Sequence, residues 1–215
     1  MAKTEPFETH PDRYDDWFDE HPAAYESELA AVRELWPEEG VGLEIGVETG
    51  RFAGPLGIRY GIDPSKEMCD RARKRGIEVT EGVGEELPYA DEQFDMVLLT
   101  TALCYLEDPL QVFREAYRAL RPGGVLVVGF IDRSSELGRH YEEHRSESLF
   151  YSEVNFHSAP EVVELFAKAG FEHLDIRQTL FGDPEEMTRP DVPEADYGAG
   201  SFIVIRGVKP AEKVS

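Results

Sequence analysis

The stretch Gly42-Leu-Glu-Ile-Gly-Val-Glu-Thr-Gly-Arg-Phe52 constrains this chain most, because a buried strand runs directly into a glycine-bearing turn and then a short helix. A strand-to-helix turn of that build holds a nucleotide-like ligand at its bend. Gly46 and Gly50 let the backbone bend sharply and approach a ligand closely. Glu44, near the strand's end, offers two acceptor oxygens and no donor, which suits a cation better than a pyrophosphate.

The pattern then alternates: strand 41–46, short helix near 51–56, strand 58–62, helix 65–75, strand 77–80, a polar loop, strand 94–100, helix 109–120 and strand 123–131. Regular β/α alternation predicts a parallel sheet with helices on both faces. Helix 109–120 opens at Pro109 and stops at Arg121-Pro-Gly-Gly124, and the apolar run Val125 to Ile131 that follows reads as a central strand. Ser158-Ala-Pro-Glu161 is a capping-box start for a helix, and strands near 171–180 and 200–207 close the domain. Ahead of the core, residues from about Pro11 to Trp36 read as two helices broken near Pro22, with Tyr25, Leu29, Val32 and Trp36 forming a helical stripe. The polar segments Ser134 to Asn155 and Gly182 to Gly200 read as insertions over a ligand site.

Composition narrows the function. With 215 residues the chain can bury a substantial core without disulfides or metals. Its two cysteines, Cys69 and Cys104, form neither a close pair nor a zinc-ligand cluster, so a reducing compartment is expected and a metal is not. The start Met-Ala-Lys-Thr-Glu-Pro has no apolar signal region, and the longest apolar run, Gly124 to Ile131, is too short to span a bilayer. A soluble, cytoplasmic protein without a membrane partner is expected. The formal charge of −22, from 44 acidic and 22 basic residues, repels phosphodiester backbones and argues against nucleic acid. Only six basic residues are lysine, so the acidic surface fits a high-salt habitat, or else attraction of a cationic acceptor such as an amine.

Two further strand ends carry ligand-type residues. In Gly61-Ile-Asp63-Pro-Ser65, Asp63 can accept from both hydroxyls of a ribose, or it can cap the helix that Pro64 begins. The loop from Gly82 to Asp95, Gly-Val-Gly-Glu-Glu-Leu-Pro-Tyr-Ala-Asp-Glu-Gln-Phe-Asp, leads into the fourth strand. The spacing Glu44-x-Gly46-x-Glu48-x-Gly50 departs from the Gly-x-Gly-x-x-Gly of dinucleotide sites, which disfavours a nicotinamide-dependent oxidoreductase.

Together with Ala116-Tyr-Arg-Ala-Leu-Arg-Pro-Gly-Gly124, these residues make the chain resemble the class I methyltransferases that use S-adenosylmethionine, in the subgroup acting mostly on small molecules. The resemblance is close over residues 40 to 131. It implies a Rossmann-like α/β sandwich of three layers, with seven mostly parallel strands, the last antiparallel, and an N-terminal helical cover. One domain over 1–215 is then expected, with 1–38 as cover, 40–131 as cofactor-binding core, and 132–215 as acceptor-side insertions and closing strands. Carried over by position, Glu44, Gly46 and Gly50 face the methionine portion of S-adenosylmethionine, Asp63 takes the ribose, Gly84 and Glu85 lie at the adenine, and Thr100 stands beside the transferring methyl. The product is S-adenosylhomocysteine. The family usually has a small residue where this chain has Glu48 and an aspartate where it has Val83. Those departures motivate a competing reading, a sensor or partner subunit that binds the cofactor without catalysis.

Methyl transfer asks the protein to align acceptor, carbon and sulfur and to exclude water, with a base needed only for a protonated acceptor. Candidates for the acceptor pocket are Tyr14 and Trp17 in the cover, Tyr105 past the fourth strand, and His140, Tyr141, Tyr151 and His157 in the later insertion. Aromatic faces there suit a cationic acceptor, and packing or surface roles are the alternative. Thr100-Thr-Ala-Leu-Cys-Tyr105 lacks the Asn/Asp-Pro-Pro-aromatic signature of amino-methylating DNA enzymes.

Overall fold

The alternating pattern forms one mixed eight-stranded sheet in a computed structural model that describes residues 4–211. The strands are β1 (Gly42–Ile45), β2 (Tyr60–Asp63), β3 (Glu78–Glu81), β4 (Phe94–Thr100), β5 (Leu120–Ile131), β6 (Glu172–Thr179), β7 (Glu194–Ala195) and β8 (Phe202–Val208). Their order is β3-β2-β1-β4-β5-β8-β6-β7, with β1 to β5 mutually parallel and β8 inserted antiparallel between β5 and β6. The antiparallel last strand matches the family pattern. The expected seven strands become eight because the two-residue β7 pairs with the outer edge of β6. So short a strand has no alternating pattern to betray it, and it lies in a segment rich in proline and glycine.

Two helical layers sandwich the sheet. Helices α1 (Glu5–Thr9), α2 (Pro11–Glu20) and α3 (Pro22–Leu35) precede β1, and α4 (Ala53–Leu56), α5 (Lys66–Lys74), α6 (Pro109–Ala119), α7 (Glu136–Glu143) and α8 (Ala159–Ala169) follow. Val112, Phe113 and Ala116 of α6 pack with Val162 and Phe166 of α8 against Leu43, Val97, Leu126 and Ile203. On the other face Leu29, Val32 and Leu35 of α3 meet Met96, Leu98, Val127 and Val204. Adjacent residues of β4 and β5 serve opposite cores, so Met96 to Leu99 and Val125 to Val128 are unbroken apolar runs.

Local signals behave as read. The break at Pro22 separates α2 from α3, with Pro22 in the first turn. Asp108 caps α6 by accepting from the Gln111 amide at 3.0 Å, and the capping box of α8 is formed by Ser158 and Glu161. Two α-helices also have no counterpart in the sequence reading. One is α1, which carries the buried Phe7; the other is α7, which lies in the segment from Ser134 to Asn155, its Ser135 cap accepting from the Gly138 amide at 2.9 Å.

Strand order reverses between β1 and β4, and the carboxyl ends of those two strands open a crevice there. The N-terminal helices cover it and are tied down by ion pairs. Asp15 of α2 accepts from Thr49 Oγ1 at 2.7 Å, from Arg51 Nε at 2.8 Å and from an Arg75 amino group at 2.8 Å, while Arg51 also grips Asp19. Burial alone would raise the Asp15 carboxyl, but these donors outweigh it and hold the group at about 2. No helix among the described residues is long and apolar enough to cross a membrane.

Removing Asp15 leaves two half-buried guanidinium groups short of a partner. Asp15→Ala is therefore expected to lower folding stability by roughly 1–3 kcal/mol and to make residues 5–20 the first cleaved in limited proteolysis. Urea unfolding and mapping of the cut sites check this. An unchanged midpoint with cleavage elsewhere would show that aromatic packing alone holds the cover.

Candidate functional site

The turn after β1 is shaped by two glycines with left-handed backbone. Gly46 has φ 68°, and a side chain there would overlap Ala102 Cβ, at the turn after β4. Gly50 has φ 81°, and a side chain there would overlap Ile77, behind the turn. The amides of Gly46 and Val47 both donate to the Ile62 carbonyl, at 2.8 and 3.1 Å, which presses the turn against the end of β2. Asp63 completes the joint, with Oδ2 accepting the Glu48 amide at 2.9 Å and Oδ1 the Ser65 amide at 2.8 Å. Burial raises this carboxyl to about 6, the two amides offsetting only part of the effect. The cap of α5 is Ser65, whose hydroxyl accepts from the Met68 amide, so Asp63 is not the cap.

Two cavities meet at this joint. The first lies over the ends of β1 and β2 and is lined by Gly46, Asp63, Ser65, Gly84 and Glu85, with Ile62, Met68, Val83 and Leu106 as apolar walls and Thr4 and Phe7 as part of its cover. Its lining carries carboxylates and, among the described residues, no lysine or arginine. Such a lining opposes a pyrophosphate and favours a nucleoside bearing positive charge. Gly84 has no room for a side chain beside Ile45 and Val112, so the loop backbone itself forms the wall. The Glu85 carboxylate accepts from the amides of Glu107 and Asp108 at 3.2 and 3.4 Å.

The second cavity, of about 370 Å³, lies under α2 and α7 and is walled by Tyr14, Trp17, Phe18, Tyr105, Tyr141 and Tyr151. Glu48 and Tyr105 line both cavities. Glu48 has φ 49° and Thr101 φ 59°, left-handed values that cost a residue with a side chain about 1 kcal/mol or more each. The two are linked: Thr101 Oγ1 donates to Glu48 Oε2 at 3.0 Å, and the Tyr14 hydroxyl donates to the same oxygen. Burial pushes the Glu48 carboxyl up to about 8, with the Tyr14 and Thr101 hydroxyls opposing and Asp63 adding to the rise. Glu28 of α3 also lines this cavity; it is 4% exposed, its Oε2 has no hydrogen-bond partner, and burial together with the Glu48 charge raises it to about 8.

Of the residues singled out in the sequence, Gly46, Asp63, Gly84 and Glu85 gather around the first cavity, and Tyr14, Trp17, Tyr105, Tyr141 and Tyr151 around the second. The others fall outside both. Glu44 is 2% exposed, its Oε2 lacks a partner and burial raises its pKa well above the usual carboxylate range. Gly50 shapes the rear of the turn. Thr100 is 1% exposed and lines neither cavity; its neighbour Thr101 lines the second. His140 is exposed on α7 and stacks near His144, whereas His157 lies behind Tyr151 at a small separate hollow. Glu28 and Thr101 escaped the sequence reading. The signal for Glu28 is its place on the α3 stripe, four residues after Ala24 and four before Val32.

A methyltransferase-domain family model matches residues 43–128. A crystal structure from Thermotoga maritima, described as an S-adenosylmethionine-dependent methyltransferase and possible histamine N-methyltransferase, superposes with a TM-score of 0.93. It is 47% identical and the match covers 95% of this chain and 98% of that one. An uncharacterised protein of Methanocaldococcus jannaschii is 44% identical across 94% of this chain and 98% of its own length. Demethylmenaquinone methyltransferase of Halalkalibacterium halodurans is 27% identical over 76% of this chain and 70% of its own.

The raised Glu28 carboxyl has a consequence for stability. Its pKa goes from an ordinary 4.5 to about 8, so the folded protein holds a proton that the unfolded chain releases between those values. The stabilisation is complete below the unfolded value and is lost as pH rises through 8. Without ligand, Glu28→Gln is therefore expected to melt at a higher temperature than the wild type at pH 9, the gap closing towards pH 5. Thermal unfolding at pH 5, 7 and 9 tests this; a gap independent of pH would contradict it.

Proposed function

We propose that this chain, which belongs to the class I S-adenosylmethionine-dependent methyltransferases, transfers the methyl group to a small molecule seated in the second cavity. The observation that carries the acceptor reading is the contact between the two cavities through Glu48 and Tyr105, which places an enclosed, aromatic-walled space directly beside the cofactor crevice. When bound, S-adenosylmethionine supplies a methyl carbon already activated by its sulfonium. The protein's own part is to bind, orient and exclude water.

Each region of the chain then has a task. Asp63 offers its remaining lone pairs to the ribose hydroxyls, Gly84 and the Val83 side chain form the wall against the adenine, and Gly46 lets the methionine portion pass close to the backbone. Phe7 and Tyr105 pack edge to face and close the space over the reacting atoms. A cavity of about 370 Å³ is sized for a small molecule, which supports this reading. Histamine and demethylmenaquinone, named for two of the relatives, are both small molecules, which supports this reading. The net charge of −22 argues against a nucleic-acid substrate. Residues 40–131 serve as the cofactor core of one methyltransferase unit, and the flanking parts of the chain build the acceptor side.

Two measurements test the proposal. Isothermal calorimetry is expected to show binding of S-adenosylmethionine and S-adenosylhomocysteine, and labelled cofactor mixed with a cell extract is expected to deliver its methyl to the small-molecule fraction. No binding at roughly 50 μM, or label confined to macromolecules, would count against it. Asp63→Ala is expected to weaken binding of S-adenosylhomocysteine by about 10- to 100-fold through lost charge-assisted hydrogen bonds. It is also expected to lower folding stability by about 1–2 kcal/mol, because the Glu48 and Ser65 amides lose their acceptor. Unaltered affinity would restrict Asp63 to its structural task.

A further inference from the structure

We infer that the second cavity selects a small cationic amine, the Glu48 carboxylate holding and deprotonating the reacting nitrogen while the Glu28 carboxylate accepts from the amine across the cavity; this rests on the two-cavity reading above. Glu48 is the carboxylate that faces both the cofactor crevice and the acceptor space. It stands in a left-handed conformation that glycine would adopt without strain, so the side chain is kept at a cost to the backbone. Tyr14 and Thr101 both donate to its Oε2, which fixes the carboxylate's orientation and leaves Oε1 outside those two contacts.

Glu28 is the second, independent observation. A carboxylate 4% exposed, with an oxygen that has no partner and lines a cavity, is a costly arrangement unless a donor enters that cavity. Arg13, the basic residue on the lining, is exposed on α2 and does not fill that role. The rings of Tyr14, Trp17, Tyr105, Tyr141 and Tyr151 add negative faces around the same space. An ammonium ion satisfies both carboxylates and the rings together. With both carboxyl groups ionised, as they are above about pH 8 or beside a bound cation, a phenolate or carboxylate acceptor meets repulsion from both, and an alcohol brings one donor to two acceptors.

The chemistry balances. The amine arrives as R–NH3+, and the Glu48 carboxylate takes one proton. The freed nitrogen lone pair forms the N–C bond as the C–S bond breaks, and that bond's electron pair remains on sulfur, converting sulfonium to thioether. The product leaves as R–NH2+–CH3, and the proton on Glu48 passes to water.

The test uses two sets of probes matched in shape: 2-phenylethylamine with 2-phenylethanol and 3-phenylpropanoate, and 1,4-diaminobutane with 1,4-butanediol and succinate. Calorimetry without cofactor at pH 9, where both carboxyl groups are ionised, is expected to show amine binding at least about tenfold tighter than the matched alcohol, and no acid binding. Glu48→Gln and Glu28→Gln are each expected to weaken amine binding by about tenfold or more, and in Glu28→Gln, whose side chain lines the acceptor cavity alone, S-adenosylhomocysteine affinity stays within about threefold. With cofactor, labelled methyl is expected on the amines alone; Glu48→Gln is expected to reduce mainly kcat and Glu28→Gln mainly to raise KM. Alcohol or acid bound as well as amine, no amine of either set bound, or full kcat in Glu48→Gln would each overturn the inference. Selectivity of the wild type among the matched probes needs no variant to fold. Failure to bind S-adenosylhomocysteine at all would instead defeat the broader two-cavity reading.

Discussion

The Asp63 carboxylate joins the parts on which the rest of the site depends. One of its oxygens takes the Glu48 amide from the glycine turn and the other takes the Ser65 amide at the start of α5. The first bond ties the turn after β1 to the end of β2, and the second holds the Asp63 carboxylate in place from its own side of that joint. With the amide of residue 48 anchored, the left-handed backbone there is over-determined by its neighbours, the condition under which such strain persists. The Glu48 side chain is thereby delivered to the boundary of the two cavities, within reach of Tyr14 and Thr101. Cofactor crevice and acceptor space thus share one mechanical origin.

This arrangement opposes stability. Glu28, Glu44 and Glu48 are buried carboxyl groups whose ionised forms are disfavoured by burial, and Glu48 and Thr101 add backbone strain. The compensation lies in the cover. Asp15 collects donors from the turn and from the end of α5, while Phe7, Tyr14, Tyr105 and Phe150 form edge-to-face and tilted pairs over the boundary. The elements that lend stability are thus the same ones that enclose the second cavity. A site with unfavourable local choices, supported by consistent surroundings, is the signature expected of function rather than of poor folding.

Much of the scaffold was legible because its signals are local. Alternating apolar runs, Pro22 and Pro109 in first helical turns, Ser158 with Glu161, and the glycine turn each report on a few adjacent residues, and each appears in the fold as read. The site was legible only where strand ends carry it, as with Gly46, Asp63, Gly84 and Glu85. Thr100 and Thr101 show the limit: one step along the chain at the end of β4 moves a hydroxyl from the core to the cavity, and composition does not say which. Glu28 shows another, since an acidic residue on a helical stripe looks like the flank of a solvated face until α7 and the Glu48 turn are brought over it. His140 and His157 attracted notice for their chemistry, but the fold turns one outward and sets the other behind Tyr151. In those cases the deciding contact joins segments distant in sequence.

The acidic composition also changes meaning once the structure is in view. Two explanations stood open, a solvating surface for salty surroundings and attraction of a cationic ligand, and the net charge of −22 does not separate them. Burial does. Surface carboxylates act through water, and salt screens them beyond about 8–10 Å, so their sum sets solubility and encounter more than selection. Glu28 and Glu48 lie out of that reach, in a space walled by aromatic rings, where a charge is felt far more strongly per unit distance. A chain adapted to high salt would lose surface attraction for a cation yet keep the attraction exerted by those two groups. The excess of acid on the outside and the pair of acids within therefore answer to different physics, and in the amine reading proposed above only the second bears on which molecule is methylated.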